Sequence, residues 1–248
     1  MANGEQPVSP RAVHAARPTV RVDGEAHDRV TELLLTMEMT EREGGMSTIE
    51  LRFGNVASDP RGGAGLAFED DRLLRLGAEL AVYGGDETAP QEIFRGLVTG
   101  LDAEFPEEGP PELVVLAEDG LQRARLARRT VLHENVSVAD VARTVAGRLG
   151  LTPSISGLND RIGTWMQLNE SDLAFLRRLL ARVDGDVQIV GGELHVARRR
   201  DVQRGTLELE LASQLRRAHI LADLSHQVTE VTVTGWDPAR GERVSSTS

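Results

Sequence analysis

The stretch Asn169–Arg200, NESDLAFLRRLLARVDGDVQIVGGELHVARRR, decides how the chain is read. Asn169 is a residue type that caps helices, with Asp172 three residues on, and the spacing predicts a helix from there. Leu173, Leu176, Leu180 and Val183 recur every three or four residues and make one apolar stripe. Gly185 stands where a left-handed residue closes a helix. Val187–Val190 then turns through Gly191-Gly192 into Glu193–Ala197, a hairpin with the Gly-Gly turn that such loops favour. One helix and one hairpin make a small α+β unit.

Working outward, Ser137–Leu149 reads as a second helix. Ser137 and Asp140 form a capping-box-like start, Val138, Val141, Val145 and Leu149 make the buried stripe, and Gly150 stops it. Gly163–Leu168 reads as a strand of the same unit, which we bound at 128–205. Upstream the pattern is β throughout. Strands are expected at Pro18–Val22, Val30–Thr40, Ser47–Phe53, Leu76–Tyr83, Ile93–Glu104 and Glu112–Glu118, the last two joined by the acidic, Pro-rich turn 106–111. In the second of these, Leu33, Leu35, Met37 and Met39 alternate with polar neighbours, the mark of a half-buried strand. Asn55–Leu66, rich in Gly, Asp and Pro, reads as an exposed loop. Six short strands suggest a compact barrel over 18–127. Residues 1–17 are small, polar and Pro-containing and read as a flexible arm. Downstream, Thr206–Leu211 and Gln227–Thr234 alternate as strands, too few for a barrel of their own, so 206–248 either begins a second barrel or completes the first. The expected fold class is α+β, mostly β: a split-barrel-like N-terminal domain, an α+β middle unit with two helices, then these last strands.

Composition narrows function by exclusion. The chain has 248 residues, 40% of them hydrophobic, with two Trp, one Tyr and five Phe, so its cores rest on aliphatic side chains. It has no cysteine, which excludes disulfides and cysteine-ligated zinc. A net charge of −11 argues against free duplex DNA and anionic lipid as partners. No apolar run approaches the roughly 20 residues of a membrane helix, and the N-terminus lacks the apolar core of a signal peptide.

Chemistry is sparse. His14, His27, His133, His195, His219 and His226 are scattered, and none has a second ligand at metal-site spacing. HExxH, GxSxG and Walker patterns are absent, and Gly62-Gly63-Ala64-Gly65 lacks the lysine of a phosphate loop. Glu69-Asp70-Asp71 and Glu107-Glu108 read as solvated loop charge rather than a catalytic pair. The expectation is no catalytic, cofactor-binding or metal-binding residue. Two features remain as interface candidates. Arg198, Arg199 and Arg200 end a strand, where they either meet an acidic partner or solubilise the strand end. Trp236, in Thr234-Gly235-Trp236-Asp237-Pro238, sits where a strand enters a turn, either packed or as an anchor. Trp165 reads as core.

Several segments, in order, resemble the hub proteins of contractile tails, namely the phage late control gene D family and the VgrG proteins of type VI secretion. Ile93-Phe94-Arg95-Gly96 followed by Thr99-Gly100-Leu101 is similar to a strand of the first hub barrel, and Ala117-Glu118-Asp119 with Leu121 to the end of its partner. The helix Ser137–Leu151 resembles another family segment. Glu170-Ser171-Asp172 with Phe175-Leu176 and Gly191-Gly192 is the most specific match. His226–Pro238 is similar to the strand that enters the second VgrG barrel. The resemblance implies two related barrels with α+β material between them, and three subunits forming a ring that adapts a trimeric spike to a sixfold tube. Most of the second barrel is not in the sequence, which implies either a longer hub protein or parts supplied by another chain. The implied role is structural and not enzymatic. The implied partners are two further copies of the chain, a tube protein above, a spike or spike-tip protein below and other baseplate components. The implied place is the baseplate end of a particle assembled in the bacterial cytoplasm. A tail-associated peptidoglycan- or carbohydrate-active enzyme and a monomeric strand-addition adaptor are the alternatives.

Overall fold

A computed structural model describes residues 18–42, 44–58, 63–68, 72–84, 90–202, 211, 217, 219–220, 224 and 228–247. The fold is α+β and mostly β. In chain order the first elements are β1 (Thr19–Val22), β2 (Glu25–Ala26), α1 (Asp28–Leu33), β3 (Leu34–Thr40), β4 (Thr48–Gly54), β5 (Ala57–Ser58), β6 (Ala64–Gly65), β7 (Glu79–Gly84), β8 (Gln91–Glu104) and β9 (Glu112–Asp119). Then come α2 (Leu121–Leu126), β10 (Arg128–Ser137), α3 (Val138–Leu149), β11 (Thr152–Ile155), β12 (Arg161–Ser171), α4 (Asp172–Leu180), β13 (Gly185–Val190), β14 (Glu193–Arg198), a 3-10 turn at Arg199–Asp201, β15 (Thr232–Asp237) and β16 (Glu242–Thr247). The chain divides into two units, Met1–Arg204 and Gly205–Ser248.

In the first unit, seven strands form one sheet in the order β2-β1-β7-β8-β9-β4-β3. Alternation makes its two faces. Ile49, Leu51 and Phe53 of β4 and Leu113, Val115 and Ala117 of β9 point inward to a buried cluster, while Thr48, Glu50 and Arg52 alternate with them on the other side. The expected strand Val30–Thr40 is corrected. Its first third is helix α1, and Val30 on that helix is fully buried in the sheet's core. A β-bulge between Leu34 and Thr36 then resets the alternation, so Leu34, Met37 and Met39 pack inward and Leu35 is left exposed. The loop after β4 is held by Asn55, which is buried and whose Oδ1 accepts from the amide of Phe68 at 2.9 Å.

The α+β part packs α2, α3 and α4 against the β13–β14 hairpin around a second core, with Leu121, Val141, Val145, Leu173, Leu176 and Leu194 at its centre. α3 starts as expected, with a complete capping box between Ser137 and Asp140, and ends at Gly150 with φ 71°. The hairpin also holds, with Gly191 and Gly192 at φ 56° and 86°. β11 adds to β14 in parallel, making a three-stranded sheet β11-β14-β13. The start and end of α4 are corrected. Its cap is Ser171, whose hydroxyl accepts from the amide of Ala174. Asn169 stays in β12 at φ 47°, a left-handed kink whose amide donates to Thr130 Oγ1 at 3.1 Å. At the other end Asp184, not Gly185, carries the positive φ of 48°. Gly185 opens β13, where a Cβ would come within 2.5 Å of Leu180 Cδ2, so closeness of packing explains the glycine.

In the second unit the described strands β15 and β16 form an antiparallel hairpin, Thr232 opposite Thr247 and Trp236 opposite Arg243. The expected strand Gln227–Thr234 thus starts later and runs on through Trp236. Residues 1–17, 69–71, 206–210 and 226–227 lie outside the described residues.

Candidate assembly surfaces

The centre of the α+β part is a buried carboxylate. Asp172, first residue of α4, has a side chain only 7% exposed. Its Oδ1 accepts from Arg148 Nη1 at 2.6 Å and from Gln167 Nε2 at 3.0 Å, and its Oδ2 from Arg129 Nε at 3.2 Å. Arg148 comes from the last turn of α3, Gln167 from β12 and Arg129 from β10, so one aspartate joins four elements. A buried charge is tolerated where it is paired and its lone pairs are filled, as here. The Glu170-Ser171-Asp172 sequence therefore has a physical meaning residue by residue. Glu170 pairs with Arg178 at 2.8 Å, Ser171 caps the helix and Asp172 locks the joint.

A second joint ties the loop after β3 to α4 and β13. Gly44 donates its amide to the buried Asp186 and accepts at its carbonyl from Arg177. Trp165 lies under two guanidiniums, Arg182 at 4.8 Å and Arg178 at 5.6 Å from the ring centre, while its Nε1 donates to the carbonyl of Ile162. Trp165, read from the sequence as core, is only partly buried and packs against the α+β core from its edge.

A groove of about 290 Å³ runs between β8 and the β13–β14 turn, lined among others by Glu92, Ile93, Arg95, Asp119, Arg123 and Val190. Burial pushes the Asp119 carboxyl above the ordinary carboxylate range. Its two oxygens are nonetheless both taken, by the amide of Leu121 at 2.9 Å and that of Ser47 at 2.8 Å. Those bonds fasten β9 to the start of β4 and to α2. Glu92 is shifted the other way, held below its ordinary value chiefly by Arg95, which donates to both its oxygens, and by Tyr83 Oη at 3.0 Å. Among the described residues, no three His, Asp or Glu converge as metal ligands, and no helix is long and apolar enough to cross a membrane. His133 stacks on Phe175 at 4.8 Å, and His195 lies 3.0 Å from Glu193 on the same strand.

The sequence-selected interface residues fall in different units, the three arginines in the first and Trp236 in the second. Arg198 ends β14, 3.9 Å from Asp160. Arg199 and Arg200 occupy the following 3-10 turn rather than the strand, with Arg199 3.3 Å from Asp184 and Arg200 3.7 Å from Asp201. Trp236 is on the β15–β16 hairpin and is 65% exposed. Its face also carries Arg243, while Val233 and Val244 share the opposite face, and these valines too are exposed. Sequence reading missed a further apolar surface, the outer face of the β10–β12 ribbon. There Leu132 and Met166 stand directly opposite each other, with Leu168 beyond, all about half exposed or more. Met166 and Leu168, two residues apart and so on one face of the strand read at Gly163–Leu168, were the signal for it.

The same architecture occurs in solved tail proteins. The 43 kDa tail protein of prophage MuSo2 from Shewanella oneidensis superposes with a TM-score of 0.68 at 13% identity, over 94% of this chain and 69% of that one. The tail protein from Neisseria meningitidis MC58 gives 0.63 at 16%, over 94% and 67%. The E. coli c3393 protein, a component of the type VI secretion system with structural similarity to T4 bacteriophage tail proteins gp27 and gp5, gives 0.53 at 15%, over 91% and 55%. This chain thus spans about half the length of the c3393 protein. No curated protein matches it in sequence. At these identities the likeness is one of fold. The model of the family described as the Alg8 N-terminal domain matches residues 45–248, and the chain belongs to that family.

Proposed function

We propose that the chain is a structural hub component of a contractile injection system or phage tail, joining the inner tube to the central spike at the baseplate. The observation that carries this reading is the fold shared with tail proteins over 94% of the chain. The physics agrees. Asp172 and Gly44 fix the α+β part internally, and apolar surface remains on the outside, at the β10–β12 ribbon and the β15–β16 hairpin. Exposed apolar faces of this kind mark interaction surfaces. In this reading three copies surround one axis, with a tube protein above, a spike or spike-tip protein below and other baseplate components around them, in a particle assembled in the bacterial cytoplasm. Trp236 and Arg198–Arg200 are interface residues in it. The test is averaged density of the assembled particle. Three copies under a sixfold tube support the reading, and a hexamer or a single copy overturns it.

The groove beside β8 favours one other reading, a hydrolase, because Asp119 and Glu92 line it with carboxyl groups shifted in opposite directions. Against it, both Asp119 oxygens accept backbone amides, and Glu92 is occupied by Arg95 and Tyr83. Both groups are thus engaged in holding the fold together, Asp119 between strands and helix and Glu92 with its neighbours on the sheet. The pure chain incubated with peptidoglycan or simple polysaccharides is expected to show no turnover. Turnover that disappears in Asp119→Asn or Glu92→Gln would put the enzyme reading first.

A further inference from the structure

The outer face of the first sheet is built against itself. The β3–β4 register places Glu38 directly opposite Glu50, and the β8–β9 register places Glu104 directly opposite Glu112. Like charges directly opposite on one face repel and destabilise a sheet. Arg52, between these pairs, is shared by Glu50 at 3.2 Å, Glu104 at 3.2 Å and Glu112 at 3.4 Å. Glu118 is taken by Arg125 of α2 at 2.6 Å, and Asp102 lies on the same face, across Val114 from Arg52. On this part of the face six carboxylates thus share Arg52 and Arg125, while at the far end of β8 Arg95 is held by Glu92 and Glu79. At the middle is an apolar spot. Leu116 is 42% exposed beside a shallow groove of about 260 Å³ that Thr99, Thr48 and Glu50 also line. An acidic sheet face with an exposed leucine in it fits a partner of the inverse pattern, apolar at the centre and cationic around it.

The chain itself carries that pattern. In LQRARLARR, residues 121–129, Leu126 is 67% exposed, and Arg123 and Arg128 beside it are exposed too. We propose that the outer face of β3, β4, β9 and β8 docks the Arg123–Arg128 stretch of a second copy of this chain. Leu126 enters the groove at Leu116, and Arg123 and Arg128 meet the unbalanced carboxylates of Glu38, Glu50, Glu104 and Glu112. Repeated head-to-tail, such a contact closes a ring when the rotation allows. The proposal rests on the multi-copy reading given above and supplies the contact that builds it.

The experiment uses the full chain. Self-association is measured by light scattering and sedimentation over a range of protein and salt concentrations, with circular dichroism melts to verify folding. Wild type is expected to associate, less so at high salt. Glu38→Lys with Glu50→Lys, and separately Arg123→Glu with Arg128→Glu, are each expected to fold, with melts lowered only by loss of the exposed Glu50–Arg52 and Arg128–Asn169 contacts, and to weaken association about tenfold or more. Combining all four substitutions restores opposite charges across the contact and is expected to recover association. If wild type forms trimers and the Glu38/Glu50 pair forms them equally well, this contact is wrong while the hub reading stands. Failure of the four-substitution chain to recover also overturns it. A wild-type chain that stays monomeric at all concentrations overturns both.

Discussion

Asp172 holds Arg148 at 2.6 Å, joining the first turn of one helix to the last turn of another. The carboxylate sits at the N-terminal end of α4 and the guanidinium near the C-terminal end of α3, so each charge also meets the helix dipole of favourable sign. Asp172→Ala leaves Arg148, Arg129 and Gln167 without their acceptor. Breaking a buried pair costs about 3–5 kcal/mol, but both arginines are about a third exposed and can rehydrate, so about 2–3 kcal/mol is expected. Urea unfolding measures it, and a loss below about 0.5 kcal/mol, the size of an ordinary surface change, would show that Asp172 does not lock the joint.

Leu176→Asp puts a charge at a fully buried position of α4 and should destabilise by several kcal/mol, on the order of a core disruption. Glu170→Ala removes only the partner of the partly exposed Arg178 and should cost about 1 kcal/mol or less. Thermal melts in which both were equally mild would mean that the helix face is misassigned.

Gly96→Ala should be among the most damaging small changes in the first sheet. A Cβ there would lie 2.2 Å from the carbonyl oxygen of Glu118 on the paired strand, a backbone atom that cannot move aside. The expected loss is about 3 kcal/mol or more, at or beyond the usual range for overpacking. Gly147→Ala, where nothing lies within 4 Å and the residue is helical, should instead stabilise by several tenths of a kcal/mol. Comparing their urea midpoints tests both.

The capping box of α3 makes a pH-dependent contribution. The amide and hydroxyl of Ser137 hold the Asp140 carboxyl below its ordinary value of 3.8. The stabilisation is therefore complete above that value and disappears as pH falls through the lower, folded value. Ser137→Ala should cost about 1 kcal/mol at pH 7, and the gap from wild type should narrow by pH 3. Asp119 has the opposite sign. Its carboxyl is raised by burial, so that group favours the fold at acid pH and progressively less as pH rises through the carboxylate range. Asp140→Asn removes the titrating carboxylate altogether, and a wild-type to Asp140→Asn gap that is unchanged between pH 7 and pH 3 would rule out this role for Asp140.

The sequence by itself determined the local elements. Ser137 with Asp140, Gly150, and Gly191-Gly192 act through bonds and φ angles within a few residues, so they are legible without the rest of the chain. The apolar stripe of α4 is legible for the same reason, because helical period alone brings Leu173, Leu176 and Leu180 to one side. What only the tertiary structure decided depends on partners far away in sequence. Asn169 looked like the cap, but pairing with β10 keeps it in the strand and passes the cap to Ser171. The bulge after Leu34 is set by the register with β4, which no alternation pattern in β3 can report. Arg198–Arg200 read as one basic cluster, yet the chain turns after Arg198 and each arginine finds a different aspartate. The opposition of Glu38 to Glu50 and of Glu104 to Glu112 is likewise invisible in sequence. Cross-strand neighbours are fixed by sheet register, and register is settled by the burial of Leu51, Phe53 and Val115 on the far face of the same sheet.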